Sequence, residues 1–218
     1  MADQIDGRYS LTSPAIMDFP NLFVPKAFKG KGGKESGEPK YKANLVLNTD
    51  HPDLTGLKQK AAAVAKARWP DRKLSELAFP FTSGTKLADK AKEKKKDGEH
   101  MRDKVVIAGR SKFAPGLAGI ENGRIVDYED EAMKIKAKPK FYAGVEVLAE
   151  FNFVAYEGVG ANPDGVTAYL NKVLSLNKGT KLNRGSTAAE AFKGYAGTIS
   201  AEDPTGGKSA DLDDEIAF

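Results

Sequence analysis

The sequence predicts a mainly β fold with α elements added to it, followed by an acidic tail. Three observations carry this expectation. Residues 141–156 and 165–176 alternate apolar and polar side chains with a period of two, the signature of half-buried strands. One unmistakable helical segment stands between Pro52 and Pro70. After residue 196 the composition falls into Gly, Ser, Pro and acids, which bury too little apolar surface to order a chain. The ordered domain is therefore expected over 1–196 and a flexible acidic tail over 197–218. At 218 residues and 40% hydrophobic content, the chain can bury a sizeable core.

The elements follow in order. A-I-M-D-F-P-N-L-F-V-P-K-A-F, 15–28, is rich in strand formers, and its two prolines predict an edge or bulged strand. The Gly/Lys stretch 29–39 has no apolar content, and Y-K-A-N-L-V-L-N, 41–48, reads as a strand, so the three form a hairpin with a long basic tip. The helix predicted over 53–69 gathers Leu54, Leu57, Ala61 and Val64 near one face, and Trp69 at its end is expected in the core. Residues 86–104 mix bases and acids around Gly98, which reads as a solvated loop or frayed helix before a strand at K-V-V-I-A-G, 104–109. In 141–156 the odd positions Phe141, Val145, Val147, Phe151 and Phe153 form the apolar face, leaving Tyr142, Glu146, Glu150, Asn152 and Tyr156 on the other. In 165–176, Val166, Ala168 and Leu170 oppose Thr167, Tyr169 and Asn171. A short helical element is expected at 188–195.

Charge and motif content narrow the chemistry. The net charge is +4, but residues 200–218 carry six acids against Lys208, a local −5, so the rest carries +9. A body that basic favours a polyanionic partner. There is no cysteine, and His51 and His100 lie far apart, which excludes disulfides and thiolate-bound zinc and implies no cofactor. No apolar run reaches the ~18 residues a membrane span needs. The start M-A-D-Q-I-D-G-R-Y lacks a leader pattern, so a cytoplasmic protein is expected. G-G-K-S at 206–209 fails as a phosphate loop because Glu202 stands where glycine is required, and K-G-K-G-G-K fails because Glu35 replaces the metal-binding hydroxyl. Carboxylates are too scattered to pinch magnesium, and no Ser or His sits in a nucleophile context. The expectation is a binding protein, not an enzyme.

Rings beside bases supply the positive signal. Tyr41 lies between Lys40 and Lys42, Phe113 follows Arg110 and Lys112, and Tyr169 precedes Lys172. Such pairs hold single-stranded nucleic acid, stacking contributing ~1–3 kcal/mol per base while cations follow the phosphates. Phe113, Tyr142 and Tyr169, with Tyr41, are the expected stacking residues. Lys26, Lys40, Lys42, Arg110, Lys112 and Lys172 are the expected phosphate contacts.

The order of N-L-F-V-P-K near the start, R-S-K-F-A-P at 110–115, F-Y-A-G-V-E-V at 141–147, G-V-T-A-Y-L-N-K-V at 165–173 and A-E-A-F at 189–192 resembles a family of bacteriophage single-stranded DNA-binding proteins with an oligonucleotide-binding (OB) fold. The resemblance spans nearly all of 10–195. It implies a five-stranded, partly open barrel elaborated by the helix at 53–69, binding single strands without sequence preference. It also implies a role in phage replication, recombination or repair, in the host cytoplasm.

The terminal D-L-D-D-E-I-A-F resembles the acidic, Phe-ended tips by which single-strand binders recruit replication and recombination enzymes. Asp211, Asp213, Asp214 and Glu215 attract basic surfaces, while Ile216 and Phe218 can fill an apolar pocket. A tail of 22 residues spans ~25 Å, against a domain radius of gyration of ~16 Å, so the tip reaches the basic groove and can compete with DNA there. Rival readings are an annealing protein that pairs complementary strands through an oligomeric ring, a magnesium-dependent nuclease, and a structural virion component. Self-association is left open.

Overall fold

The computed structural model describes residues 5–29 and 35–182. The expected 188–195 element, the domain boundary at 196 and the acidic tail lie outside the described residues. Nine strands and three α-helices are described: β1 (Arg8–Ser10), β2 (Ala15–Lys29), β3 (Glu35–Asn48), α1 (Leu54–Arg68), β4 (Phe81–Ser83), α2 (Gly84–Glu93), β5 (Lys104–Ser111), β6 (Gly116–Glu121), β7 (Arg124–Asp127), α3 (Glu131–Ala137), β8 (Glu146–Tyr156) and β9 (Gly165–Ser175).

Five strands close on themselves. β2 pairs β3, β3 pairs β5, β5 runs parallel to β9, β9 pairs β8, and β8 returns to β2. The ring is the five-stranded OB-type barrel, with β1 extending β8, the β6–β7 hairpin extending β9 and β4 added to β5. Its interior is the alternating apolar set: Met17, Leu45, Leu47, Ile107, Phe151, Phe153 and Leu170 are all buried. The predicted inner faces of 141–153 and 166–170 are thus the barrel core.

The prolines of β2 shape it as expected. Its register against β3 shifts between Asp18 and Asn21 and again between Asn21 and Lys26. Those shifted stretches contain Pro20 and Pro25, which have no N–H to give the ladder.

α1 buries Leu54, Leu57, Ala61, Val64 and Ala65, as its periodicity requires, and packs on β8 and β9. Asp53 stands at its N-cap position but does not cap it. Its carboxylate instead accepts from Thr12 N–H (3.0 Å), Thr12 Oγ1 (2.9 Å), Ser13 N–H (2.9 Å) and Tyr9 Oη (3.2 Å), binding the segment after β1 to the helix. Burial pushes the Asp53 carboxyl up, but these donors outweigh it and hold the group below its ordinary value. Trp69 packs against the core, with the Arg72 guanidinium 5.9 Å from its ring.

Two expectations are corrected, and two elements are added. Residues 86–104 are not a solvated loop or frayed helix. α2, capped by Ser83, and the 3₁₀ turn Glu99–Met101 cover the outer wall of the barrel, where Met101 packs with Val46, Val106, Ile16 and Leu87. The β6–β7 hairpin and α3 were not anticipated. The late strand begins at Glu146 rather than 141, because Gly144, at φ +101°, breaks the extended run. A Cβ there would also lie 2.0 Å from the Thr180 carbonyl oxygen.

Candidate nucleic-acid interface

Strand pairing assembles a row of side chains across the outer wall. Asn21 lies opposite Lys42, and Lys42 opposite Arg110. Because Gly109 is level with Ala168 in the parallel pair, Arg110 is level with Tyr169. Tyr169 lies opposite Asn152, and Asn152 opposite Arg8. The residues flanking this row, Ala43, Gly109, Ala168, Leu170, Phe151 and Phe153, face inward, so alternation forces the row out. It runs across the strands, with cations on both sides of a ring.

Beside the row lies a groove of about 590 Å³, bounded by Arg8, Lys112, Phe113, Glu150, Tyr169 and Lys172. Phe113 is 82% exposed and Tyr169 37% exposed, both unusual for rings in a protein with a full core. The loop that presents Phe113 is set by buried Ser111, whose Oγ accepts the Phe113 N–H at 3.0 Å.

The cations here are crowded or loosely occupied. Burial lowers the Lys42 ammonium below its ordinary value, and the Arg110 charge opposite lowers it further. Like charges directly opposed across strands destabilise a sheet unless an anion joins them. Lys112 meets Glu38 at 2.5 Å, a hydrogen bond that raises the lysine and lowers the acid. Lys172 Nζ is 3.7 Å from Glu150, which also accepts from Ser10 Oγ and Asn171 Nδ2, each at 3.4 Å. Exposed pairs of this kind contribute little to stability and are readily exchanged for another anion.

The structure thus brings together Lys42, Arg110, Lys112, Phe113, Tyr169 and Lys172 of the expected residues. Tyr41 lies opposite Ser111 at the groove's edge, and Lys26 opposite Lys40 farther out on the β2–β3 hairpin. Tyr142 is elsewhere: it precedes β8, packs against the core and donates its hydroxyl proton to the Gly179 carbonyl at 3.0 Å. Asp211, Asp213, Asp214, Glu215, Ile216 and Phe218 lie outside the described residues. The sequence reading did not find Arg8, and placed Glu150 and Asn152 on a polar face without a role. No local motif marks Arg8, which enters the groove only through the pairing of β1 with β8.

A closed five-strand barrel with exposed rings set among cations on its outer wall defines the class of OB barrels that hold single-stranded nucleic acid. The family model described as Enterobacter phage Enc34, ssDNA-binding protein, matches residues 11–204, and the chain belongs to that family. Among solved structures, the single-stranded DNA-binding protein from bacteriophage Enc34 is 16% identical, with a TM-score of 0.58 over 84% of this chain and 88% of that one. The same phage protein in complex with ssDNA is 18% identical, with a TM-score of 0.57 over 81% of this chain and 90% of that one. At such identities the likeness establishes the fold. None of the curated proteins matches the chain.

Proposed function

We propose that the protein binds single-stranded DNA without sequence preference along the outer row and its groove, protecting intermediates of phage DNA replication, recombination or repair. The observation that carries this reading is the juxtaposition of Lys42, Arg110, Tyr169 and Arg8 across paired strands. Exposed rings stack on bases of any identity, while the cations neutralise phosphates. The Enc34 protein solved in complex with ssDNA supports the same ligand class.

Oligothymidine titrations at several salt concentrations test it. Five cations, Arg8, Lys42, Arg110, Lys112 and Lys172, lie on the row and groove. Neutralising about five phosphates gives a log–log salt slope near −3.5 for a single strand. A slope near zero, or preference for duplex DNA, removes the mechanism.

The acidic tail, in this reading, recruits replication or recombination proteins through Ile216 and Phe218 and competes with DNA for the basic wall. Full-length and tail-deleted protein are compared on duplex DNA at low salt. Tighter duplex binding after deletion supports the competition, and equal affinities refute it.

A further inference from the structure

Phe19 occupies a costly position. It lies in the β2 bulge between Asp18, opposite Asn44, and Asn21, opposite Lys42. Its backbone sits at φ +51°, a left-handed conformation that bulky side chains avoid, and its ring is 40% exposed. The conformation is held in place. Fully buried Asp18 accepts the Phe19 N–H at 2.9 Å and faces His100 Nε2 at 3.1 Å, so the turn containing Met101 also anchors the bulge. Core formation does not require the exposed ring, because Met17 and Leu22 supply the inward apolar residues on either side. An outlier maintained this way at the surface points to a function.

Its neighbour indicates which. Lys42 Nζ stands 6.0 Å from the Phe19 ring centroid and belongs to the same row as Arg110 and Tyr169. A ring beside a cation is the pairing that holds a single strand, and Phe113 and Lys112 both line the groove across the wall. We propose that Phe19 is a second stacking platform for single-stranded DNA, with Lys42 and Arg110 clamping the phosphates that pass between it and Tyr169. The inference rests on the single-strand reading of the outer wall and extends the bound track to β2. Lys42 and Arg110 suit the clamp by position, since they stand directly opposite each other across the β3–β5 pair.

The geometry sets a length dependence. From β2 through β3 and β5 to β9 are three inter-strand steps of ~4.8 Å, about 14 Å of surface. At ~3.4 Å per stacked nucleotide that is about four nucleotides, and fewer where the strand is stretched. An oligothymidine of about 3 nucleotides is too short to reach from Tyr169 to Phe19 and settles on the Tyr169–Phe113 platform alone, whereas one of about 12 covers both, within the usual range for one barrel.

Binding of the two lengths is measured for wild type, Phe19→Ala, Phe19→Gly and Phe19→Trp. Phe19→Gly removes the ring while accommodating the positive φ, so its effect does not arise from backbone strain. For Ala and Gly the longer strand should weaken by about 5- to 150-fold, the loss of one stacked base, with the shorter changed by less than about twofold. Trp should restore the longer strand's affinity. Unchanged affinity for the longer strand, or equal losses at both lengths, overturns the second platform. Failure of wild type to bind either length instead overturns the single-strand reading itself.

Discussion

Replacing Glu150 with Gln should tighten binding to single-stranded DNA, although it removes an ion pair. Glu150 brings a negative charge into a groove otherwise bounded by Arg8, Lys112 and Lys172. Its carboxylate is 3.7 Å from Lys172 Nζ, so a phosphate oxygen meeting that ammonium at ~2.8 Å lies within about 6.5 Å of it. Two unit charges at that separation repel by about 0.6 kcal/mol in bulk water and about 2.5 kcal/mol at a surface-like dielectric of about 20. The Gln variant should therefore bind about 3- to 70-fold more tightly, approaching the lower bound at physiological salt, where charges beyond ~8 Å are screened. The folded state should change little. Gln keeps one oxygen to accept from Asn171 Nδ2 and can donate its amide N–H to the Ser10 hydroxyl, and the lost partner, Lys172, is 72% exposed, so the pair contributes at most about 1 kcal/mol. Fluorescence anisotropy of labelled oligothymidine across a salt series, with thermal melting as control, measures both quantities. Weaker binding by Glu150→Gln at unchanged melting temperature would refute the reasoning, because the carboxylate would then be holding DNA rather than repelling it.

Three further outcomes follow from the geometry. Tyr169→Ala should lower affinity about 5- to 150-fold with the salt slope unchanged, whereas Arg110→Ala should flatten the slope by about 0.7, the signature of one lost phosphate contact; identical slopes for the two variants would contradict the division of roles. Asp53→Asn should destabilise the protein by ~1–3 kcal/mol by leaving a buried donor unsatisfied. The Asp53 pKa is held below its ordinary 3.8, so its contribution is present above that pH and lost as the pH falls through the folded value. Acid melts should accordingly show a wild-type loss below pH ~4 that Asp53→Asn lacks. Gly165→Ala should unfasten the barrel end, since its Cβ would lie 2.3 Å from the Ala78 carbonyl oxygen and break the bridge between the two residues; a melting temperature equal to wild type would count against that contact.

β9 and α1 were legible because each faces core on one side and water on the other for most of its length. β9 alternates because Val166, Ala168 and Leu170 enter the barrel while Thr167, Tyr169 and Asn171 do not, and α1 keeps Leu54, Leu57, Ala61 and Val64 on one stripe. α2 escaped because it buries only Gly84 and Ala88, with Leu87 partly covered, so most of its length reads as a charge run. The β6–β7 hairpin did carry a signal: Asn122 and Gly123, both at positive φ, are the dipeptide that turns two strands tightly. Asp130 likewise caps α3 by accepting the Met133 N–H at 2.7 Å, a helix-start signal left unread.

The candidate interface draws on residue types visible in the sequence and on neighbours that are not, and register explains both. Alternation shows that Tyr169 and Lys172 lie on strand β9, but the lysine that follows Tyr169 in sequence is not its partner in space: Lys172 lies opposite Glu150, whereas Tyr169 is level with Arg110, 59 positions earlier. The same holds for Arg8, carried to the row by β1 pairing, and for Phe19, brought beside Lys42 by a bulge that shifts β2 against β3. A ring-plus-cation unit on this wall is therefore a product of barrel closure, which sets five registers at once. It follows that an insertion of one residue in β5 before Arg110 would turn Arg110 off the wall and break the row between Lys42 and Tyr169 while leaving every ring and every base in the chain, because a one-residue slip turns the side chains of that strand to the opposite face.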